Sequence, residues 1–387
     1  MRDLPRPFSL HVPDAALTDL RERLARTRFP ERPPGEPWAA GADPDYLREL
    51  VEHWLHRFDW RAHEARLNAF AQFKVRIHGI DLHYLHVPGV GPDPQPLLLS
   101  HGWPGSVLEF MELIPRLTDP ARFGGDAADA FTVVAPSLPG YALSFEPGQP
   151  RFSLEQIAEC FAELMGEVLG YPRWFAQGGD WGAFVTSRLA WAHPDRVAGI
   201  HLNLMPLRRD PKMVANPTPA EARYLEELKH WLHEDTGYQW IQGTRPATLA
   251  VALTDSPAGL AAWIAEKFRA WSDCGGLIER AIDRDAMLAD IALYWFTGAI
   301  GSSFWPYYAR LHGPWPIPEA PAIAVPTGYA AFPKEILRPP RSLAERVYAN
   351  VVRWTEMPRG GHFAALEQPE ALAREIVETF RPLRRAG

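Results

Sequence analysis

Residues 177–182 read Gln177-Gly178-Gly179-Asp180-Trp181-Gly182. The short apolar run 174–176 before them reads as a strand buried on both faces, and 183–191 after them reads as a helix. Small residues on both sides of Asp180 permit a strained strand-to-helix turn that lifts one side chain above a sheet, the setting of a nucleophile elbow. Taken alone, Gly-Gly-Asp is as readily an ordinary turn, because both residue types favour turns for reasons unrelated to catalysis. The partners of Asp180 have to decide.

Three further segments stand in the required order. His362, in Arg359-Gly360-Gly361-His362-Phe363, follows the last expected strand (351–355) and precedes a closing helix near 370–380. A nucleophile, acid, histidine chain order calls for a histidine at this place. One of 14 histidines is otherwise more readily structural. The acid that orients it is expected after the penultimate strand, placed at 322–325, and Glu335 in Ala331-Phe332-Pro333-Lys334-Glu335-Ile336 is the candidate. Its rivals are Glu345, in an amphipathic helix, and Glu356, just after a strand. His101-Gly102-Trp103-Pro104-Gly105-Ser106 follows a strand at 96–100, on the loop that supplies one oxyanion donor. The backbone N–H groups of Trp103 and Trp181 are assigned to that hole, with His101, Gly102, Pro104 and Gly179 as supporting positions. His101 equally suits a role that only braces the loop.

These segments predict an α/β-hydrolase fold: a mostly parallel central sheet, a helical lid insertion and an N-terminal helical extension. Leu17, Leu20 and Leu24 share a helical face over 14–27, with Asp14 at the expected cap, and a second helix is expected over 46–68. From Phe73 the period changes to two around His78-Gly79, a β-hairpin that starts the sheet. Strands follow at 96–100 and 131–135. The helix 154–169 opens on a Ser153/Gln156 capping box. After a strand at 197–202, about a hundred helix-like residues intervene before the last two strands, a run read as an insertion. The expected division is 1–72 extension, 73–205 first part of the core, 206–316 helical cap, and 317–387 second part of the core.

Composition excludes several classes. With 47% hydrophobic and 12% aromatic residues the chain is globular. A net charge of -7 provides no basic field, so no nucleic-acid partner is expected. Cys160 and Cys274, the two cysteines, lie far apart, which excludes a disulfide framework and a cysteine-rich metal site. No apolar stretch has the length of a signal peptide or membrane span, so no membrane anchor and a cytoplasmic location are expected.

An acid at the elbow suits substitution at an sp³ carbon. A serine opening an epoxide would leave an ether that water cannot cleave, whereas a carboxylate leaves an ester with a carbonyl that water can attack. The motifs at 101–106, 177–182 and 359–365, with Phe29-Pro30 and with Val325-Pro326-Thr327-Gly328 leading to Glu335, resemble those of the microsomal-type epoxide hydrolase family. That resemblance spans nearly the whole chain. It implies conversion of an apolar epoxide to a vicinal diol through an aspartyl ester, with Asp180, His362 and Glu335 catalytic and no metal or cofactor. It also implies two lid tyrosines that hold the epoxide oxygen: Tyr238, and Tyr307 or its neighbour Tyr308. The expected partners are a small epoxide and water, and the oligomeric state is open, a homodimer included. Two rival readings remain. A haloalkane dehalogenase would use the same aspartate and enlist Trp103 and Trp181 as a halide cradle, and a non-catalytic scaffold would only bind a ligand.

Overall fold

His78 and Gly79 both take positive φ, 46° and 85°. Those angles suit the tight left-handed turn of a two-residue hairpin. The hairpin joins β2 (Gln72–Ile77) to β3 (Ile80–Val87), with Ile77 opposite Ile80. The computed structural model describes residues 3–318 and 320–384. A short strand, β1 (Arg6–Phe8), pairs antiparallel with β2 from the far N-terminal side. No sequence period signalled this strand, so the N-terminal extension joins the sheet as well as packing on it.

The hairpin continues into β4 (Gln95–Ser100), β5 (Phe131–Pro136), β6 (Trp174–Gly178), β7 (Val197–Leu202), β8 (Thr327–Ala331) and β9 (Val351–Glu356). Among the described residues the nine strands lie in the order β1-β2-β3-β5-β4-β6-β7-β8-β9, antiparallel up to β5 and parallel from there on. β5 is buried along its whole length, as a strand covered on both faces must be. In the β4–β6 pair Ser100 stands opposite Gly178. That register sets the two loops that leave these strands side by side at the carboxyl edge of the sheet, where ligands of open α/β sheets bind.

One expected strand and one expected helix require correction. The apolar run 322–325 makes only a single bridge, Ile323 to Tyr348, and the strand itself is β8, five residues on. Pro321 and Pro326 bracket the run and cannot donate to a ladder. The small, fully buried Thr-Gly-Tyr-Ala-Ala that follows pairs with both β7 and β9. The single helix expected over 46–68 is two, because Asp59 caps a new start by accepting from the amides of Arg61 and Ala62.

The extension therefore carries α1 (Asp14–Ala25), α2 (Pro44–His56) and α3 (Trp60–Asn68). Pro13, not Asp14, stands at the cap of α1. On the sheet, α4 (Leu113–Thr118) covers one face, and α5 (Leu154–Glu163) and α6 (Asp180–Ala192) cover the other. α5 has the expected Ser153/Gln156 capping box, and its last turn loosens into a π-helical one over Leu164–Val168.

Between β7 and β8 stand, among the described residues, seven α-helices: α7 (Pro219–Glu234), α8 (Gly237–Thr244), α9 (Pro246–Asp255), α10 (Pro257–Trp271), α11 (Arg284–Thr297), α12 (Ile300–Ser303) and α13 (Trp305–His312). The chain closes with α14 (Arg341–Ala344), α15 (Ala364–Glu367) and α16 (Pro369–Arg384), the last of these on the α4 face. The extension grips the insertion: the Tyr46 hydroxyl donates to Glu279, His53 pairs with Asp285 at 2.6 Å, and Arg23 donates to the Asp255 carbonyl. No single helix among the described residues is long and apolar enough to cross a membrane.

Candidate active site

Asp180 ends the turn after β6 with φ at +46°, a left-handed conformation that a non-glycine residue adopts at a cost of about 1–3 kcal/mol. Packing holds it there. A Cβ on Gly182 would lie 1.9 Å from the Ser100 carbonyl oxygen, so only glycine lets α6 start this close to β4. A Cβ on Gly102 would lie 2.3 Å from Asp180 itself, so that glycine opens the space its side chain fills. Gly179 is the N-cap of α6 and abuts Asn203.

The Asp180 carboxylate has two defined neighbours. The Trp103 amide donates to its Oδ1 at 2.8 Å, and its Oδ2 faces His362 Nε2 at 3.4 Å. Trp181 lies in the first turn of α6, where backbone N–H groups have no intrahelical acceptor and point out of the helix. His362 Nδ1 donates to Glu335 Oε1 at 2.6 Å, and the same oxygen accepts from the Ile336 amide at 2.7 Å. Exposure grades along this series, 16% for the Asp180 side chain, 2% for His362 and none for Glu335. Asp180 and His362 both meet the cavity, and Glu335 lies behind them. Glu345 and Glu356 take no part: Glu345 pairs with Arg341 and Glu356 with the Trp354 indole.

Electrostatics follow from this arrangement. Burial works against a charged His362, but the Glu335 charge, the hydrogen bonds to Asp180 and Glu335, and the Asp180 charge outweigh it and hold the imidazole up at about 10. His362 therefore rests as the cation of a carboxylate–imidazolium–carboxylate series at neutral pH. His101 is the opposite case. Burial pulls it down to about 4, its Nδ1–H donates to the Gly102 carbonyl and its Nε2 accepts from the Leu138 amide. It is a neutral brace for the loop that carries Trp103, and Pro104 follows Trp103 through a cis peptide.

Tyr238 on α8 and Tyr307 on α13 hang over this carboxylate from the insertion. Tyr238 stacks on the Trp103 ring at 5.6 Å, Tyr307 meets the Trp181 ring edge-on at 4.7 Å, and the two phenols lie 5.8 Å apart. Burial raises both phenol pKa values, so both are proton donors. Tyr308 points elsewhere, stacked on His312 at 4.1 Å, so Tyr307 is the tyrosine that faces the site.

Four features escaped the sequence reading. The backbone N–H of His362 donates to the Trp271 carbonyl at the end of α10. Glu367 accepts from the amides of Phe363 and Asp273, and Asp273 accepts from the Gly360 amide. The loop of His362 is thus pinned to the insertion. Glu109 lines the same cavity as Asp180 and His362, and its carboxyl occupies the room left by the missing side chain of Gly105. The Lys267 ammonium lies 4.5 Å over the Tyr238 ring. None of these has a local sequence signature. Among the described residues no group of three or more His, Cys, Asp or Glu side chains is placed to hold a metal ion.

The pinning is testable. Glu367→Ala leaves two buried amides without acceptors and is expected to lower stability by about 1–3 kcal/mol. Thermal unfolding should show the loss, with kcat falling more than KM rises because the loop holds His362 and not substrate. An unchanged melting temperature would remove this role.

Residues 5–110 match the model described as epoxide hydrolase N terminus, and residues 95–269 match the α/β hydrolase fold. The chain is 37% identical over 401 residues to epoxide hydrolase 1 of Oryctolagus cuniculus, covering 96% of this chain and 88% of that protein. The chain belongs to the epoxide hydrolase family. Other members agree with it in three dimensions. The crystal structure of juvenile hormone epoxide hydrolase from Bombyx mori superposes with a TM-score of 0.89 at 29% identity, over 99% of this chain and 96% of that one. The Aspergillus niger epoxide hydrolase structure gives 0.86 at 30% identity, over 98% and 96%.

Proposed function

We propose that this member of the family adds water to a small epoxide, giving a vicinal diol, through a covalent ester on Asp180. The observation that carries the reading is a carboxylate at the elbow in contact with both an imidazole and an amide donor, beneath two buried phenols. Asp180 attacks a ring carbon while Tyr238 and Tyr307 donate to the ring oxygen. The helical insertion acts as the lid that brings those donors in.

Proton balance supports the scheme. Ester formation consumes the Asp180 charge, which removes two of the four influences that hold His362 charged. The imidazolium loses its proton as the alkoxide gains one by way of a tyrosine hydroxyl, leaving a neutral hydroxyalkyl ester and a neutral His362. In the second half, His362 takes a proton from water, and the hydroxide adds to the Asp180 carbonyl. The Trp103 and Trp181 amides bind the resulting oxyanion. Collapse expels the diol oxygen, which takes the proton back from His362. The new carboxylic acid then passes its own proton to the imidazole, restoring the resting pair. Glu335 orients the ring and stabilises its charge throughout. Asp180, His362 and Glu335 thereby form a catalytic triad, and Glu109 lines the cavity that Asp180 and His362 share.

The tyrosines can be tested directly. Tyr238→Phe and Tyr307→Phe are each expected to slow ester formation by about 10²-fold, and the double variant by far more, because an alkoxide without a donor is a poor leaving group. Stopped-flow tryptophan fluorescence reads the step. A double variant that alkylates at the wild-type rate would sink the assignment.

One observation favours a second reading. The indole N–H groups of Trp103 and Trp181 are buried and have no hydrogen-bond partner among the described residues, as a halide cradle would require. Halide release from a haloalkane series, with no diol from epoxides, would select the dehalogenase. No turnover of either class would select the binding scaffold.

A further inference from the structure

Water has to reach the ester while the opened substrate still covers one side of it. Tyr238 and Tyr307 belong to the insertion, so the epoxide is met from there. The cavity that Asp180 and His362 share is walled by the core alone. Ser100, Gln177, Asn203, Phe363 and Leu372 help to line it, and neither phenol nor any other residue of 206–316 does. Its volume is about 20 Å³, room for one or two water molecules and too little for an epoxide.

The chamber is also polar. Ser100 Oγ and Gln177 Oε1, both from its wall, are buried and have no hydrogen-bond partner among the described residues. Buried groups of that kind are commonly satisfied by a bound water where there is room for one. Glu109 completes the wall. It enters from the turn Val107–Phe110 into the space that Gly105 leaves open, where a Cβ on residue 105 would lie 1.3 Å from Glu109 Oε1. Among the described residues its carboxyl makes no hydrogen bond or ion pair. Burial, and then the charge of Asp290, hold that carboxyl well above the usual carboxylate range. At neutral pH it is therefore an uncharged acid, able both to donate and to accept. Glu109 borders a second cavity as well, between α3 and α11, whose rim carries the exposed Arg66, Glu112 and Asp283. Solvent thus comes up to Glu109 without passing the phenols.

We propose that the core chamber seats the water that hydrolyses the ester, and that Glu109 positions this water by a hydrogen bond while His362 takes its proton. The proposal rests on the epoxide-hydrolysis reading. With the Glu109 carbonyl oxygen accepting one water hydrogen and His362 Nε2 the other, a lone pair of the water is free to face the Asp180 carbonyl carbon. Glu109 keeps its own proton throughout, so the proton balance of the reaction is unchanged. Epoxide and water occupy separate seats, and the ester is hydrolysed with the substrate side still covered.

Two substitutions isolate the hydrogen bond. Glu109→Met keeps the length of the side chain and removes its polar end, whereas Glu109→Gln keeps the shape and the neutral charge. Rapid-quench mass spectrometry on a single turnover of phenyl oxirane separates ester formation from ester hydrolysis. In Glu109→Met hydrolysis is expected to slow about tenfold, the worth of one orienting hydrogen bond, with ester formation and melting temperature retained. The loss should persist at pH values where His362 is already neutral in the ester, which a shifted titration of His362 would not produce. Glu109→Gln should restore most of the rate. A crystal structure of the ester trapped in His362→Gln should show a water on Glu109 and the alkyl group on the side of the phenols. Unchanged hydrolysis in Glu109→Met, equal slowing of both steps, an equal loss in Glu109→Gln, or an alkyl group filling the core chamber would overturn the proposal and leave epoxide hydrolysis standing. A wild type that forms neither ester nor diol from phenyl oxirane or other epoxides would remove both readings.

Discussion

Asp180→Ala and Asp180→Asn are expected to lose at least about 10⁴-fold in kcat, the scale on which removal of a covalent nucleophile acts. Two variants are needed because residue 180 has φ at +46°. Alanine is strained in that conformation, whereas asparagine tolerates it better and keeps the shape of the carboxylate. Near-identical losses in both, with asparagine retaining the wild-type melting temperature, assign the effect to chemistry and not to a collapsed turn. A single turnover in heavy-oxygen water gives the complementary result. Water attacks the ester carbonyl, so the label enters the Asp180 carboxylate, and the first diol released carries the old carboxylate oxygen. Mass spectrometry of the peptide containing residue 180 reads the label. A labelled diol with an unlabelled Asp180 would mean that water attacks the ring directly, and the hydrogen bond from Trp103 to Asp180 would then serve only to position a base.

Why the line of Asp180, His362 and Glu335 was visible in a bare sequence, while its surroundings were not, has a physical explanation. Each of the three residues stands in a loop just past a strand, and small residues or turn formers mark such loops locally. Their order along the chain follows from the topology. Glu335 was found even though the strand before it was placed five residues early: the loop beyond it, Phe332-Pro333-Lys334, is the same whichever apolar run forms the ladder. Tyr238 and Tyr307 came from resemblance alone, since aromatic residues on helices mostly pack. Strand β1 is three residues long and pairs with a partner more than sixty positions away, so no period reveals it. The bonds that tie Gly360 and Phe363 to Asp273 and Glu367 bridge the insertion and the core through space, and nothing near Glu109 shows that its carboxyl fills the gap beside Gly105.

The second large effect concerns His362. With His362→Gln the nucleophile, the amide of Trp103 and both phenols are intact, so the ring still opens and the ester still forms, the alkoxide taking from solvent the proton that the imidazolium would have supplied. Water then has no base to activate it. One equivalent of adduct on Asp180 is expected to accumulate, with steady-state diol formation reduced by about 10³-fold or more. Intact-protein mass should rise by the mass of the epoxide. The pH dependence follows from the same geometry. In the free enzyme His362 is held up at about 10, so its charge, and the ion pair with Asp180, persist across the neutral range. In the ester the Asp180 charge is gone, and the pKa of His362 falls towards the ordinary imidazole range of about 6.5. Ester hydrolysis needs the neutral ring, so it should slow tenfold per pH unit on the acid side of that lowered value, while ester formation, which uses Asp180 and the tyrosines, stays level over the same interval. Acidification of the wild type should therefore reproduce the trapped adduct of His362→Gln, and raising the pH should release it. Rapid-quench mass spectrometry across the acid limb tests this. If hydrolysis holds its rate into that limb, or if no adduct builds up in His362→Gln, the imidazole facing Asp180 is not the base that frees the diol.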